Sequence, residues 1–259
     1  EYKLMGLAPY GNPIYEEKIT RNLIDIKEDG SFWLNQDYFN YATGLTMTNN
    51  KFADLFGQKA RDSKKEKLTQ FHMDIAASIQ KVTEDIMIKI VKSLKDEFNI
   101  PNLCLAGGVA LNCVANGKIL KEKIFENIWV QPAAGDAGGS LGAALALWHI
   151  DQNNPRKINP RDDMQGSYLG PEYTQDQIEK ELDNIGAVYQ VKTEEDLINS
   201  TAEDLSKGEA IGWFQGRMEF GPRALGGRSI LGDPRSPDMQ KNLNLKVKYR
   251  ESFRPFAPS

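Results

Sequence analysis

Arginine and lysine gather between Ile211 and Ser259, among glycines and prolines: Arg217, Arg223, Arg228, Arg235, Arg250 and Arg254, with Lys241, Lys246 and Lys248. Only Glu219, Asp233, Asp238 and Glu251 oppose them there, in a chain whose formal net charge is -4. Guanidinium forks and the free backbone N–H groups of glycine turns both suit phosphate oxygens, so the stretch is a candidate anion pocket. A solvated basic surface loop is the alternative reading of the same residues.

Two glycine loops form a second constellation. The apolar run Leu103 to Ala106 leads into Gly107-Gly108, and Ile128 to Pro132 leads into Ala133–Ser140, which holds Gly135 and Asp136. Glycine between a strand and a helix lets a phosphate or ribose approach the backbone, and the helix N-terminus favours the anion. Neither loop is a dinucleotide fingerprint or a Walker loop, and glycine turns also serve plain packing. Asp136 can bind a metal or position a nucleotide, or simply cap the helix that follows. The two histidines, His72 and His149, each fall on a predicted helix. With no placed partner for a general base, they read as packing or surface histidines.

The elements that position these residues follow from periodicity. Gly6 to Pro13 reads as a loop, and Asp29-Gly30 as the turn of a hairpin between LIDIK and SFWLN. Ile75, Ile79, Val82, Ile86, Ile90 and Leu94 align one apolar face of a helix over 70–98, stopped by Asn99-Ile100-Pro101. Val109 to Leu120 reads as a helix, as does LGAALALWHI. The repeated strand–glycine loop–helix order predicts an α/β domain with parallel strands over 1–152. Residues 153–166, polar and broken by Pro155 and Pro160, read as a linker. In 167–259, Thr174 and Gln177 form a capping-box pattern for a helix from Gln175 to Asn184. A strand at Val188–Val191, a helix from Thr193 to Lys207 and the strand AIGWFQ follow.

Composition sets the outer bounds. A chain of 259 residues with 40% hydrophobic and 26% charged residues fits globular domains. There is no apolar run of spanning length, and no signal peptide at its start. The pI of about 5.4 argues against nucleic-acid binding driven by bulk charge. Cys104 and Cys113 lack metal-type spacing and read as buried, reduced thiols of a cytoplasmic protein. Both ends read as cut, with Glu1-Tyr2-Lys3 opening directly into a motif and RPFAPS stopping at a proline-rich turn.

Four motifs in order, EYKLMGLAPYG, LAGGVALNCVANGKI, QPAAGDAGGSLGAAL and WFQGRMEFGPRALGGRSILGDPR with VKYRESFRPFAPS, resemble the NodU-type O-carbamoyltransferases. That family acts in nodulation-factor, cephamycin and aminoglycoside biosynthesis. The resemblance implies the C-terminal half of an actin- and sugar-kinase-like (ribonuclease H-like) domain, then part of an α+β domain similar to threonylcarbamoyl-adenylate synthases. It implies that carbamoyl phosphate and ATP give carbamoyl-adenylate in the second module. The first module then passes the carbamoyl group to a hydroxyl of a small-molecule acceptor.

Residue by residue, it implies that Lys248 and Arg250 hold phosphate, with Arg217, Arg223 and Arg228 as further cations and Ser229 as a hydrogen-bond donor. Gly107, Gly108, Asn112 and Gly135 would face the nucleotide. Asp136 matches the aspartate that binds iron(II) or a similar ion with two histidines of an upstream HxxxH motif. Neither His72 nor His149 fits that motif. Arg235 and Arg254 read as structural ion pairs. The rival expectation is a nucleotide-binding scaffold that has lost the chemistry. A tRNA-modifying threonylcarbamoyl transferase is disfavoured by the fused basic module, and no nucleic-acid or membrane partner is expected. The oligomeric state is open.

Overall fold

The chain enters through α1 (Tyr2–Leu7), a 3-10 turn at Ala8–Tyr10, and α2 (Glu16–Asn22). The computed structural model describes residues 2–256; Glu1 and residues 257–259, the outermost residues of the first and last motifs, lie outside the described residues. The predicted hairpin forms from β1 (Ile24–Ile26) and β2 (Phe32–Leu34), antiparallel, with Ile24 opposite Leu34. The segment α3 (Asn50–Phe56) is capped by Asn49, whose side chain accepts from the Phe52 N–H.

The long apolar stripe becomes α4 (Gln70–Phe98), ended by Asn99 in the left-handed region at φ 47. Asparagine tolerates that conformation because its short polar side chain can bond locally. Val82 and Ile86 are buried, and Ile75, Ile79 and Ile90 pack beside them against Ile19, Leu23, Ile24 and Phe56. Leu94, last of the predicted stripe, is exposed. Each fully buried aliphatic side chain contributes about 1.5–3 kcal/mol, so this cluster is the main hydrophobic support of its unit.

β3 (Asn102–Leu105) pairs with β4 (Asn127–Val130). The Glu126 N–H donates to the Pro101 carbonyl and the Gln131 N–H to the Leu105 carbonyl. Partners that advance together on both strands are the pattern of a parallel pair. The helix expected over Val109–Leu120 is interrupted: a 3-10 turn at Gly108–Leu111 precedes α5 (Cys113–Glu122). The interruption falls at Asn112, whose non-helical backbone and side-chain oxygen start α5 as its N-cap. α6 (Ala137–Ala146) continues into a π-helical turn at Leu147–Asp151.

Residues up to Cys104, with Asn112–Trp129, form one compact unit; Leu105–Leu111 and the chain from Val130 onward form the other. The second unit contains α7 (Gln175–Asn184), with the Thr174–Gln177 capping box, and α8 (Glu194–Ser206), capped by Thr193. β5 (Ile211–Phe214) pairs antiparallel with β6 (Arg228–Leu231), and α9 (Met239–Asn242) runs into a π-helical turn at Leu243–Val247. The strand expected at Val188–Val191 does not form: both valines are exposed and the segment has no partner strand among the described residues. β-propensity without a neighbour to pair with does not make a strand. Cys104 and Cys113 are likewise exposed free thiols, not buried ones. Cys104 sits on the outward face of β3, and Cys113 on the open first turn of α5.

Candidate anion site

The loop between β5 and β6 carries the cationic motif, and a carboxylate organises it. The Glu219 side chain is wholly buried. Its Oε1 accepts from the backbone N–H groups of Leu225 at 2.6 Å, Gly227 at 2.7 Å and Arg228 at 3.3 Å. Burial alone would raise the Glu219 pKa; the bonds from backbone N–H groups outweigh it and hold the carboxyl below its usual value. Arg228 lies half-buried beside it, with Nε 3.4 Å from Glu219 Oε2 and Nη2 donating to the Gly221 carbonyl at 2.5 Å. Arg228 therefore closes the loop. The Tyr168 hydroxyl donates to the Leu225 carbonyl, and the Ser167 hydroxyl to the Phe220 carbonyl.

The other predicted cations divide into two kinds. Arg217 is spent internally: it donates to the Gly170 carbonyl and pairs with Glu172, each at 2.9 Å. Arg235 grips Asp233 through Nε and Nη2, the structural ion pair that was expected. Arg250, by contrast, is held in place with no carboxylate hydrogen-bonded to its fork among the described residues. Its Nε donates to Asn244 Oδ1 at 2.5 Å, and its guanidinium stacks over the Phe256 ring at 4.8 Å. Burial, then the like charge of Arg254 and of Arg223, push its pKa down, against the pull of Glu251. Arg254 pairs with Glu251 at 3.7 Å.

Lys248 is exposed on the turn that leads to Arg250, and Tyr249 between them takes φ 48. A bulky residue in the left-handed region stores backbone strain of about 1–3 kcal/mol, a feature that clusters at functional sites. Ser229 stands on β6 opposite Trp213. Asn244 had no motif to mark it. It is fully buried, and its Nδ2 donates to the Ser252 and Arg254 carbonyls while its Oδ1 holds Arg250. Glu219 is the other residue that sequence reasoning passed over, as a mere opposing charge. An acid inside a run of arginines and glycines was the available signal.

The glycine loops meet in the same unit. The Gly107 N–H donates to the Ala134 carbonyl at 2.8 Å, with Gly107 at φ +93. An added Cβ would meet nothing within 4 Å at Gly107 or at Gly135, so both backbones face open space. Gly108 opens the 3-10 turn beside them. Asp136 is exposed and occupies the N-cap position of α6, yet its side chain makes no capping bond. Asn112 stands at the N-cap of α5. Its Oδ1 accepts from the Ala115 N–H and from Gln80, and its Nδ2 donates to Gln80 Oε1.

Among the described residues no three His, Cys, Asp or Glu side chains gather as a metal site. His72 Nδ1 accepts from the Thr69 N–H, and His149 Nδ1 contacts the Asn154 carbonyl oxygen. The residues present therefore do not by themselves fit an iron(II) centre. Among them, no helix is long and apolar enough to cross a membrane.

Comparison with known proteins gives the family. Residues 1–145 match the carbamoyltransferase N-terminus and 202–259 the carbamoyltransferase C-terminus. An uncharacterized Synechocystis protein, sll1178, is 61% identical over the whole of this chain, which covers 42% of its length. Nodulation protein NolNO of Sinorhizobium fredii is 40% identical, again over 100% of this chain and 36% of its own length. Nodulation protein NolO of Bradyrhizobium diazoefficiens is 38% identical, with 100% and 44% covered. The chain spans less than half the length of each of these relatives. On both modules, the chain belongs to the NodU-type carbamoyltransferase family.

Proposed function

We propose that this chain is part of an ATP-dependent O-carbamoyltransferase. Its first module is read as the partial actin-like, carbamoyl-transferring part and its second as the partial carbamoyl-adenylate-forming part. Carbamoyl phosphate, ATP and one water give carbamoyl-adenylate, pyrophosphate and phosphate. An acceptor hydroxyl then takes the carbamoyl group and AMP leaves.

The observation that carries this reading is Arg250, seated on an ordered turn with Arg254 close behind it in sequence, where the like charges of Arg254 and Arg223 act on it. Arg250 is fixed by Asn244 and Phe256. Like charges held together on an ordered turn favour an anionic ligand, and a polyphosphate satisfies several at once. Pyrophosphate becomes the leaving group in adenylation, so preplaced cations stabilise its developing charge. Lys248 and Arg223, both exposed, are the cations free to follow the phosphates, and Ser229 is assigned a hydrogen bond to them. Gly107, Gly108 and Gly135 give the first module open backbone for a nucleotide. Iron(II), when bound with ligands from elsewhere in the protein, would supply Lewis-acid polarisation of the carbamoyl carbonyl; Asp136 is the residue here that would reach it.

The test is mass-spectrometric detection of carbamoyl-adenylate after the intact protein meets ATP and carbamoyl phosphate without acceptor. The adduct is expected only when both substrates are present. Phosphate release without any adenylate or pyrophosphate would refute the reading.

A further inference from the structure

Glu219 is buried to 3% exposure in the middle of a loop that carries arginines at positions 217, 223 and 228. A carboxylate in such a place is expected to neutralise those cations. It does not do so evenly. Oε1 is saturated by the three backbone N–H groups of Leu225, Gly227 and Arg228. Among the described residues Oε2 is buried with no hydrogen-bond partner, and the Arg228 Nε lies 3.4 Å from it. A buried carboxylate oxygen left in this state is costly and persists when the surrounding structure holds it there.

The surroundings do hold it. A Cβ added to Gly227 would lie 2.8 Å from the Arg217 carbonyl oxygen and 3.2 Å from Glu219 Oε2, so glycine is needed for the carboxylate to sit where it does. Arg228 is fixed between that carboxylate and the Gly221 carbonyl. Arg217 is turned away to Glu172. The result is a loop in which one acid consumes the amides and one arginine, while Arg223, carried by the same loop, stays exposed.

We infer that Glu219 is a positioning residue: by ordering the Gly221–Arg228 loop it presents Arg223 to the phosphate groups held at Arg250. This rests on the reading of the Arg223–Arg250 region as a polyphosphate site. Glu219 touches no substrate; it acts through the loop backbone and Arg228.

Titration of inorganic pyrophosphate into the intact protein, with hydrogen exchange read at the Leu225 and Gly227 amides, tests this in wild type, Glu219→Gln and Gly227→Ala. Glutamine keeps the shape and one acceptor oxygen and removes the charge. Its pyrophosphate Kd is expected to weaken about tenfold, as for loss of charge-assisted hydrogen bonds. Protection at the two amides falls with it, while α4 keeps its protection. In pyrophosphate release the KM for ATP rises by a similar factor and kcat changes less. Gly227→Ala, which displaces the carboxylate with Glu219 intact, gives the same pattern, and it decides the matter if Glu219→Gln fails to fold. Pyrophosphate binding by Glu219→Gln equal to wild type overturns the role of Glu219 alone. A wild type that binds neither pyrophosphate nor ATP overturns the polyphosphate site and this inference together.

Discussion

Gly221 lies against Ala133: a Cβ built on Gly221 would stand 3.1 Å from the Ala133 Cβ and 3.2 Å from its Cα. The two residues belong to different family segments, Ala133 to the N-terminal match and Gly221 to the C-terminal one. The loop that leads to Asp136 and the loop that carries Arg223 therefore touch. Gly221 also takes φ +108, where a side chain is strained. Gly221→Ala should destabilise the protein by about 1–3 kcal/mol, read from the urea midpoint. It should also weaken pyrophosphate binding, because Arg228 anchors on the Gly221 carbonyl.

The core on α4 makes an independent prediction. Ile86 is buried at 8% exposure among Ile19, Leu23, Ile24, Phe56 and Val82. Ile86→Ala should cost about 2–5 kcal/mol in equilibrium unfolding. Leu94, at 38% exposure on the same predicted stripe, should cost far less when changed to alanine.

His72 gives a pH dependence with a definite sign. Burial, then the charge of Arg61, push its pKa below the ordinary imidazole value, against the pull of Glu66 and the Thr69 backbone bond. The folded state therefore binds the proton less readily than the unfolded chain. Stability from His72 is complete above about pH 6.5 and is lost as pH falls from there through the folded value. His72→Gln keeps a capping-box acceptor for the Thr69 N–H and removes the titration. Thermal midpoints measured across that window should slope for wild type and flatten for the variant. An equal slope in both would assign the effect elsewhere.

Elements with local causes were legible in the sequence. The α4 stripe, the Asp29-Gly30 hairpin and the Thr174–Gln177 cap each follow from residues a few positions apart, and each formed with nearly the expected bounds. What was not legible depends on distant partners. Val188–Val191 has the composition of a strand and no neighbour to pair with among the described residues. Arg228–Leu231 is a strand because Ile211–Phe214 lies beside it. The cationic motif was visible, but not the division of labour within it. Nothing in the spacing says that Arg217 turns to Glu172, or that Asn244 and Phe256 hold Arg250. Asn112 shows the same limit, since Gln80, far away in sequence, supplies its partner.

Arg250 provides another discriminating substitution. Arg250→Lys keeps the charge and loses both the planar stack on Phe256 and the Nε bond to Asn244. ATP binding should weaken about tenfold, measured by titration calorimetry. A lysine variant that binds as wild type does would mean that charge alone matters there.

The most direct measurement is carbamoyl phosphate-dependent pyrophosphate release by the intact protein, in wild type, Lys248→Ala, Arg223→Ala and Arg250→Ala. Release should require both ATP and carbamoyl phosphate, and should fall at least about tenfold in Arg250→Ala, with smaller losses at Arg223 and Lys248. Release that continues unchanged in all three variants would contradict the assignment of this turn as the phosphate-holding site.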